Sequence, residues 1–198
     1  MEQLIQQAVS ILREGGVIAY PTDTVYGLGA DVFHEGAVSR VYQIKQRPFD
    51  QPLPVLLSDE SELNTTVSSV SELARRLMSK YWPGGLTLVL LAGPTVPEWV
   101  KAGGDTIAVR VPNHSITRTL IRELGRPLVG TSANLSGSPS VTSAEEVRLQ
   151  LEDKVDFILD GGICPGGVES TVVDVTTEVP IIIREGAISR EEIAKFLS

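Results

Sequence analysis

The run "LTLVLLA" (residues 86–92) is apolar at every position except Thr87, and it follows the turn-forming sequence "WPGG" (82–85). A continuous apolar run of this length predicts a strand that is buried on both faces. Seven more stretches on either side of it predict strands: "VIAY" (17–20), "PVLLS" (54–58), "TIAVRVP" (106–112), "PLVGTSA" (127–133), "VDFILDGG" (155–162), "STVVDV" (170–175) and "VPIIIREG" (179–186).

Helices alternate with many of these strands. Apolar residues recur at helical spacing from Leu4 to Leu12, and further helices are predicted over 37–45, 71–81, 115–124 and 143–152. Capping boxes predict that helices start at Ser189 (with Glu192) and at Thr142 (with Glu145). This is an α/β pattern around one large sheet. The last three strands lack intervening helices, which predicts antiparallel pairing and a mixed sheet.

The composition narrows the possible functions. With 198 residues and 42% hydrophobic content, the chain is predicted to form one compact domain over residues 1–198. A net charge of −8 argues against a protein that holds nucleic acid through phosphate contacts. One cysteine and two distant histidines predict no structural metal site, and the absence of a long apolar run or signal sequence predicts a cytoplasmic protein.

Polar clusters follow several predicted strands. "PTDTVYGLGAD" (21–31) follows "VIAY", "TSANLSG" (131–137) follows "PLVG", and "REG" (184–186) follows "PIII". Because α/β sheets bind ligands beyond their strand ends, these clusters are predicted to converge on one cleft. Ordinary turn chemistry remains an alternative for any one cluster taken alone.

Four basic residues are candidates for an anion site. Lys45 and Arg47 in "KQRP" share a face if the chain is extended there, although a solvated pair at a helix C-terminus is the alternative. Arg110 and Arg184 lie on otherwise apolar strands, so each has either a buried carboxylate partner or a place in a ligand cavity. The sequence leaves both choices open.

The remaining reactive residues are expected to be less important. "GGICPGG" (161–167) is similar to a phosphate loop only superficially and is expected to form a flexible loop or lid. His34 and His114 are expected at the surface, and Cys164 is interpreted as an incidental loop thiol.

The ordered motifs resemble a known family. "PTDTVYGLGAD", "KQRP", "WPGGLTLVL", "IAVRVPNH", "TSANLSG", "ESTVVDV" and "IIREGAI" are similar to those of the YrdC-like threonylcarbamoyl-adenylate synthases, over about residues 5–190. The resemblance implies a twisted, mixed α/β sheet flanked by helices, with a deep concave pocket. It also implies the short, single-domain type of the family.

The activity implied by the resemblance is that of a nucleotidyltransferase. Such enzymes condense L-threonine, bicarbonate or CO2, and ATP into threonylcarbamoyl-AMP and pyrophosphate, with Mg²⁺ accompanying the ATP. A separate tRNA threonylcarbamoyl transferase complex then uses the product for tRNA threonylcarbamoyladenosine modification. The acidic charge is consistent with an enzyme that forms no stable complex with tRNA.

The resemblance also implies residue roles. The catalytic set is Lys45, Arg47, Ser132 and Asn134. ATP binding involves these four together with Gln51, Thr106, Ser140 and Arg184. Threonine binding involves Thr24, Tyr26, Arg110, Gly130, Thr131 and Ser170. Some family members carry histidine or asparagine where this chain has Gln51 or Leu56, which leaves the roles of those two positions open.

Two alternatives share this fold. A paralogue that handles carbamoyl-adenylate occurs in hydrogenase-maturation proteins, which also carry clusters of cysteines, whereas this chain has one cysteine. A non-catalytic protein that binds double-stranded RNA is disfavoured by the net charge of −8.

Overall fold

The computed structural model describes residues 1–198, apart from the side chain of Glu152. The helices of the described chain are α1 (Glu2–Arg13), α2 (Glu35–Lys45), α3 (Leu63–Thr66), α4 (Glu72–Tyr81), α5 (Glu98–Lys101), α6 (Ser115–Leu124), α7 (Ala144–Leu151) and α8 (Arg190–Leu197). The strands are β1 (Ile18–Tyr20), β2 (Gly27–Gly29), β3 (Val55–Leu56), β4 (Leu86–Leu91), β5 (Thr106–Arg110), β6 (Leu128–Val129), β7 (Thr131–Ser132), β8 (Phe157–Ile158), β9 (Thr171–Asp174) and β10 (Ile181–Arg184).

The strands form two mixed sheets. One has the order β7-β2-β1-β8, and the other has the order β10-β9-β4-β5-β3-β6. In the larger sheet β4 pairs antiparallel with β5 and parallel with β9. The predicted mixed α/β class is therefore confirmed, as is the antiparallel pairing of β9 with β10. The prediction of one large sheet is wrong.

The division into two sheets occurs at Gly130. The segment predicted as one strand over 127–133 is interrupted there, so that β6 pairs with β3 in the larger sheet and β7 pairs with β2 in the smaller one. A Cβ atom on Gly130 would lie 2.4 Å from Cγ of Leu56. Glycine therefore permits the close approach by which one segment joins both sheets.

Helices cover these sheets through buried apolar faces. Ile5, Ala8, Val9 and Leu12 of α1 pack in one cluster with the buried face of α6. A larger core contains the buried faces of α2 and α4 together with β4 and β5. The long predicted helices are confirmed, whereas α3, α5 and β2 were not predicted. None of the helices in the described chain is long and apolar enough to cross a membrane.

The two predicted capping boxes have different outcomes. Ser189 accepts a hydrogen bond from the backbone N of Glu192 (3.1 Å), which confirms it as the cap of α8. At α7 the predicted pair is wrong by one residue. Ser143 accepts from the backbone N of Glu146 (3.2 Å), and the Glu146 carboxylate accepts from the backbone N of Thr142 (2.6 Å) and of Ser143 (3.1 Å).

Candidate active site

A cavity of about 580 Å³ is lined by residues of both sheets. Twelve of the fourteen predicted site residues line it: Thr24, Tyr26, Lys45, Arg47, Gln51, Arg110, Gly130, Thr131, Ser132, Asn134, Ser170 and Arg184. The polar clusters predicted to converge on one cleft therefore do so. Thr106 and Ser140 do not belong to the lining.

The hydroxyls of the first polar cluster have two separate tasks. Thr22 Oγ1 accepts hydrogen bonds from the backbone N of Thr24 (3.1 Å) and of Val25 (3.2 Å), and it donates to the Val25 carbonyl (2.6 Å). Thr22 therefore builds the turn itself. Thr24 Oγ1 lies 3.0 Å from Thr22 Oγ1 and accepts from Arg110 Nη1 at 3.0 Å, so it belongs to the site. Beyond the turn, the segment predicted as a loop becomes β2.

Arg110 satisfies both alternatives that the sequence left open. Its Nη2 pairs with Asp23 Oδ1 at 2.6 Å, and its Nε donates to the Gly84 carbonyl at 2.8 Å. It also lines the cavity, although it is only 5% exposed. Burial lowers the pKa of the guanidinium, while Asp23 acts in the opposite direction. A buried arginine held on three sides is preorganised to bind a carboxylate.

Lys45 ends α2 and reaches into the "TSAN" segment. Its Nζ donates to the carbonyls of Ser132 (2.6 Å) and Asn134 (2.9 Å), and to Asn134 Oδ1 (3.2 Å). Burial, opposed by Glu169 and assisted by Arg47 and Arg184, lowers the pKa of Lys45 to about 8. Lys45 therefore ties the "TSAN" segment to the end of α2 and supplies charge to the cavity.

Arg47 follows a break in the helix. Gln46 adopts the left-handed conformation (φ 53°), which ends α2 and redirects the chain. Arg47 Nε and Nη2 donate to the carbonyls of Gln51 (3.3 Å) and Pro52 (3.0 Å). The backbone of Gln51 thus orients Arg47, and both residues line the cavity.

A second arginine–carboxylate pair lies elsewhere in the cavity. Arg184 Nη1 pairs with Glu169, and its Nε and Nη2 donate to the Ser170 carbonyl at 3.2 and 2.9 Å. Ser170 Oγ lies 2.8 Å from the buried Thr87 hydroxyl on β4. Arg184, like Arg110, therefore has a carboxylate partner and also lines the cavity.

The loop over 161–167 is bonded to the first polar cluster. Tyr26 donates to the Gly162 carbonyl at 2.9 Å, and the backbone N of Gly167 donates to the Thr24 carbonyl at 2.8 Å. Cys164 is buried and accepts a hydrogen bond from the backbone N of Thr22 at 3.4 Å. The loop thiol therefore packs against the first polar cluster and does not line the cavity. Burial raises the pKa of this thiol to about 11 and that of Tyr26 to about 12.

The histidines do not line the cavity. His34 is exposed and caps α2 by accepting from the backbone N of Ala37 (3.2 Å). His114 is half-buried rather than at the surface, and burial lowers its pKa.

Ser140 and Thr106, the two predicted site residues outside the lining, differ in how they are connected to the cavity. Ser140 Oγ donates to the Glu169 carboxylate at 2.8 Å, so it is one contact away from the cavity. Thr106 begins β5, on which Ala108 and Arg110 reach the cavity.

Sequence reasoning did not select Asp23 or Glu169 as site residues. Asp23 is the partner of Arg110, and Glu169 is the partner of Arg184. Both lie inside quoted motifs, "PTDT" and "ESTVV", and the expectation that a buried arginine needs a carboxylate was the available signal.

The fold and the cavity together define an α/β protein with a cavity in which cationic side chains outnumber carboxylates. Four cationic side chains line the cavity: Lys45, Arg47, Arg110 and Arg184. The sequence model of the family named Sua5/yciO/yrdC, described as "Telomere recombination", matches residues 10–186. The chain belongs to this family.

Individual relatives agree with this assignment. The chain is 45% identical over 190 residues to a threonylcarbamoyl-AMP synthase of Bacillus subtilis, covering 96% of this chain and 55% of the relative. It is 40% identical to the uncharacterized protein YciO of Escherichia coli, covering 93% and 90%. The crystal structure of Pyrococcus abyssi Sua5 with L-threonine superposes with a TM-score of 0.94 at 43% identity, covering 98% of this chain and 57% of that one. The chain thus spans little more than half the length of the Bacillus and Pyrococcus relatives.

Proposed function

We propose that this protein is a threonylcarbamoyl-AMP synthase, which condenses L-threonine, bicarbonate or CO2, and ATP with release of pyrophosphate. The observation that carries the proposal is the arrangement of one cavity, in which Arg110 is clamped beside Thr24 while Lys45, Arg47 and Arg184 supply further positive charge. Relatives at 43–45% identity bear the name of this enzyme.

The proposed chemistry needs no protein nucleophile. The threonine amine attacks the carbon of CO2 and loses a proton, which gives a carbamate. A carbamate oxygen then attacks the α-phosphorus of ATP, and the bond to the β-phosphate oxygen breaks with loss of pyrophosphate. The side chains orient the reactants and stabilise the developing charge.

In this proposal the predicted roles are divided between binding threonine and binding the phosphates of ATP. Arg110 pairs with the threonine carboxylate, with Thr24, Tyr26, Gly130, Thr131 and Ser170 as the neighbouring threonine contacts. Lys45, Arg47, Ser132, Asn134 and Arg184 act on the phosphates, and Gln51 acts through Arg47. Thr106 and Ser140 lie outside the lining, and Ser140 would act through Glu169.

Mg²⁺ is proposed to arrive with the nucleotide. Within the described residues, no group of three or more His, Cys, Asp or Glu side chains is placed to hold a metal ion. Phosphate oxygens and water would therefore supply most of its ligands, as is usual for Mg²⁺ on nucleotides. Its charge would offset that of the triphosphate.

The test is pyrophosphate release by the purified protein with ATP, Mg²⁺ and bicarbonate. We expect release to depend on threonine. Release that is equal without threonine, or no release at all, contradicts the proposal. Arg47→Ala and Lys45→Ala should each lower the rate by about two orders of magnitude or more while the thermal unfolding transition persists. Near-normal turnover by both variants would remove their phosphate role.

The cellular context is also a proposal. The product would pass to a tRNA threonylcarbamoyl transferase complex in the cytoplasm, where ATP and tRNA are available. The carbamoyl-adenylate alternative gains no support, because the similarity to a hydrogenase-maturation protein, HypF, at 24% identity extends to the fold alone.

A further inference from the structure

Glu169 is the single carboxylate among the described residues that line the cavity. A negative charge there repels a triphosphate. Its presence in the cavity therefore indicates a compensating role. Burial on its own raises the pKa of this carboxyl, but Arg184, the hydroxyls of Ser132 and Ser140, and Lys45 together bring the pKa below its ordinary value. Glu169 is therefore an anion at neutral pH.

The contacts of Glu169 join two separate segments of the site. One carboxylate oxygen pairs with Arg184 Nη1, and the other accepts a hydrogen bond from Ser140 Oγ at 2.8 Å. Ser140 lies just beyond the "TSAN" segment, whereas Arg184 ends β10. One carboxylate thus fixes the geometry of two segments that are 44 residues apart.

Arg184 needs such a partner. Its side chain is 45% exposed, so packing alone does not restrict its long, flexible stem. The Ser170 carbonyl holds one edge of the guanidinium through Nε and Nη2, and Glu169 holds Nη1. A guanidinium carries more N–H donors than these contacts use, so it can bind a phosphate without releasing either partner.

We propose that Glu169 is a positioning residue for nucleotide binding, which holds the Arg184 guanidinium and the Ser140 hydroxyl in their binding geometry. This inference rests on the proposed function, because it takes ATP as the ligand of Arg184. The proposal predicts a change in ATP affinity that is opposite to the one expected from charge repulsion. Removing the negative charge should weaken ATP binding, although charge repulsion alone predicts tighter binding.

The experiment measures binding of ATP with Mg²⁺ by calorimetry, in the presence and absence of threonine, together with the KM values for ATP and threonine. Glu169→Gln keeps the size of the side chain and removes its charge. We expect about tenfold weaker ATP binding and a KM for ATP that rises in parallel, with kcat changed less. Glu169→Asp keeps the charge and should recover part of the affinity.

A double-mutant cycle with Arg184→Gln identifies the route of the effect. If Glu169 acts by holding Arg184, then Glu169→Gln should change ATP affinity less than about twofold in the Arg184→Gln background. A full tenfold loss in that background, or tighter binding by the single variant, overturns the proposal. Asp23→Asn provides the matched control, because it unpairs Arg110 and should raise the KM for threonine far more than that for ATP.

The outcomes separate this inference from the proposed function. If the unmodified protein binds ATP but releases no threonine-dependent pyrophosphate, the proposed function fails, and the binding cycle still decides the role of Glu169. If it binds no ATP with or without threonine, both are overturned. If Glu169→Gln fails to unfold cooperatively, ATP affinity is measured instead for Glu169→Asp, alone and combined with Arg184→Gln. That cycle then tests whether Glu169 acts through Arg184.

Discussion

Thr24 has one hydroxyl and two polar neighbours, which makes its role testable at a single atom. Oγ1 accepts from Arg110 Nη1 at 3.0 Å, while the turn around it is held by Thr22. Thr24→Ala should therefore leave the turn in place and release one edge of Arg110. Loss of a hydrogen bond to a charged group costs about 1.5–3 kcal/mol, so we expect the KM for threonine to rise about tenfold or more. Thr24→Ser keeps the hydroxyl and should stay close to the unmodified protein. An unchanged threonine KM in Thr24→Ala would falsify the contact.

The lowered pKa of Lys45 predicts that ATP binding is coupled to proton uptake. Its pKa of about 8 is set first by burial, so above pH 8 an increasing fraction of the free protein carries it uncharged. Bound triphosphate stabilises the charged form and raises this pKa. ATP binding at about pH 8.5 should therefore be accompanied by proton uptake, which disappears as the pH falls well below 8, where Lys45 is already protonated. The measurement is calorimetry in buffers of different ionisation enthalpy. Lys45→Met is the control and should show no uptake from this site; equal uptake by both proteins assigns the proton elsewhere.

At the scale of the element, the bend between β6 and β7 forms part of the cavity lining, and it depends on Gly130. A methyl group there would lie 2.4 Å from Leu56 Cγ, and Leu56 itself lines the cavity. Gly130→Ala should lower the free energy of unfolding by about 1–3 kcal/mol, because an overpacked site must shift its neighbours. Urea unfolding measures this change.

Leu56→Ala tests whether a clash with Leu56 causes the destabilisation by Gly130→Ala. Leu56→Ala opens the space that the new methyl group needs, so the double variant should be more stable than the sum of the single changes by at least about 0.5 kcal/mol. Gly93→Ala is the control, since its added methyl would meet Thr65 and Thr66 rather than Leu56. Simple additivity of Gly130→Ala with Leu56→Ala would show that the clash is not the cause.

The same bend marks the limit of what periodicity can predict. The long helices α1, α2, α4 and α6 have regular apolar faces, and the sequence predicts them to within a few residues. The segment over 127–133 begins with the apolar residues "PLV" and continues with small residues, so the sequence predicts one strand, and only the approach of Leu56 reveals the break. β2 was missed because "GLG" has no strand propensity and pairs only through its neighbours β1 and β7.

Predicting the site required a different kind of information. Lys45, Arg47 and Arg110 were found because motif and charge select them, and they line the cavity as predicted. Asp23 and Glu169 were not selected, because a carboxylate in a polar turn has no sequence feature that names its arginine partner. Asp23 and Arg110 are 87 residues apart and Glu169 and Arg184 are 15 apart, and only the folded structure brings each pair together.

At the scale of the whole molecule, an acidic protein places four cationic side chains around one cavity. The net charge is −8, while Lys45, Arg47, Arg110 and Arg184 line one small-molecule site. A long polyanion cannot follow side chains into a cavity of about 580 Å³, and elsewhere it meets the field of an acidic protein. We therefore expect no binding of tRNA or double-stranded RNA in gel-shift experiments at about 150 mM salt, under which ATP still binds. A polyanion-binding surface outside the cavity would instead give a shift whose affinity falls steeply with salt and persists in Arg47→Ala. That result would overturn the expectation that the protein binds no RNA, because the RNA site would then lie outside the cavity.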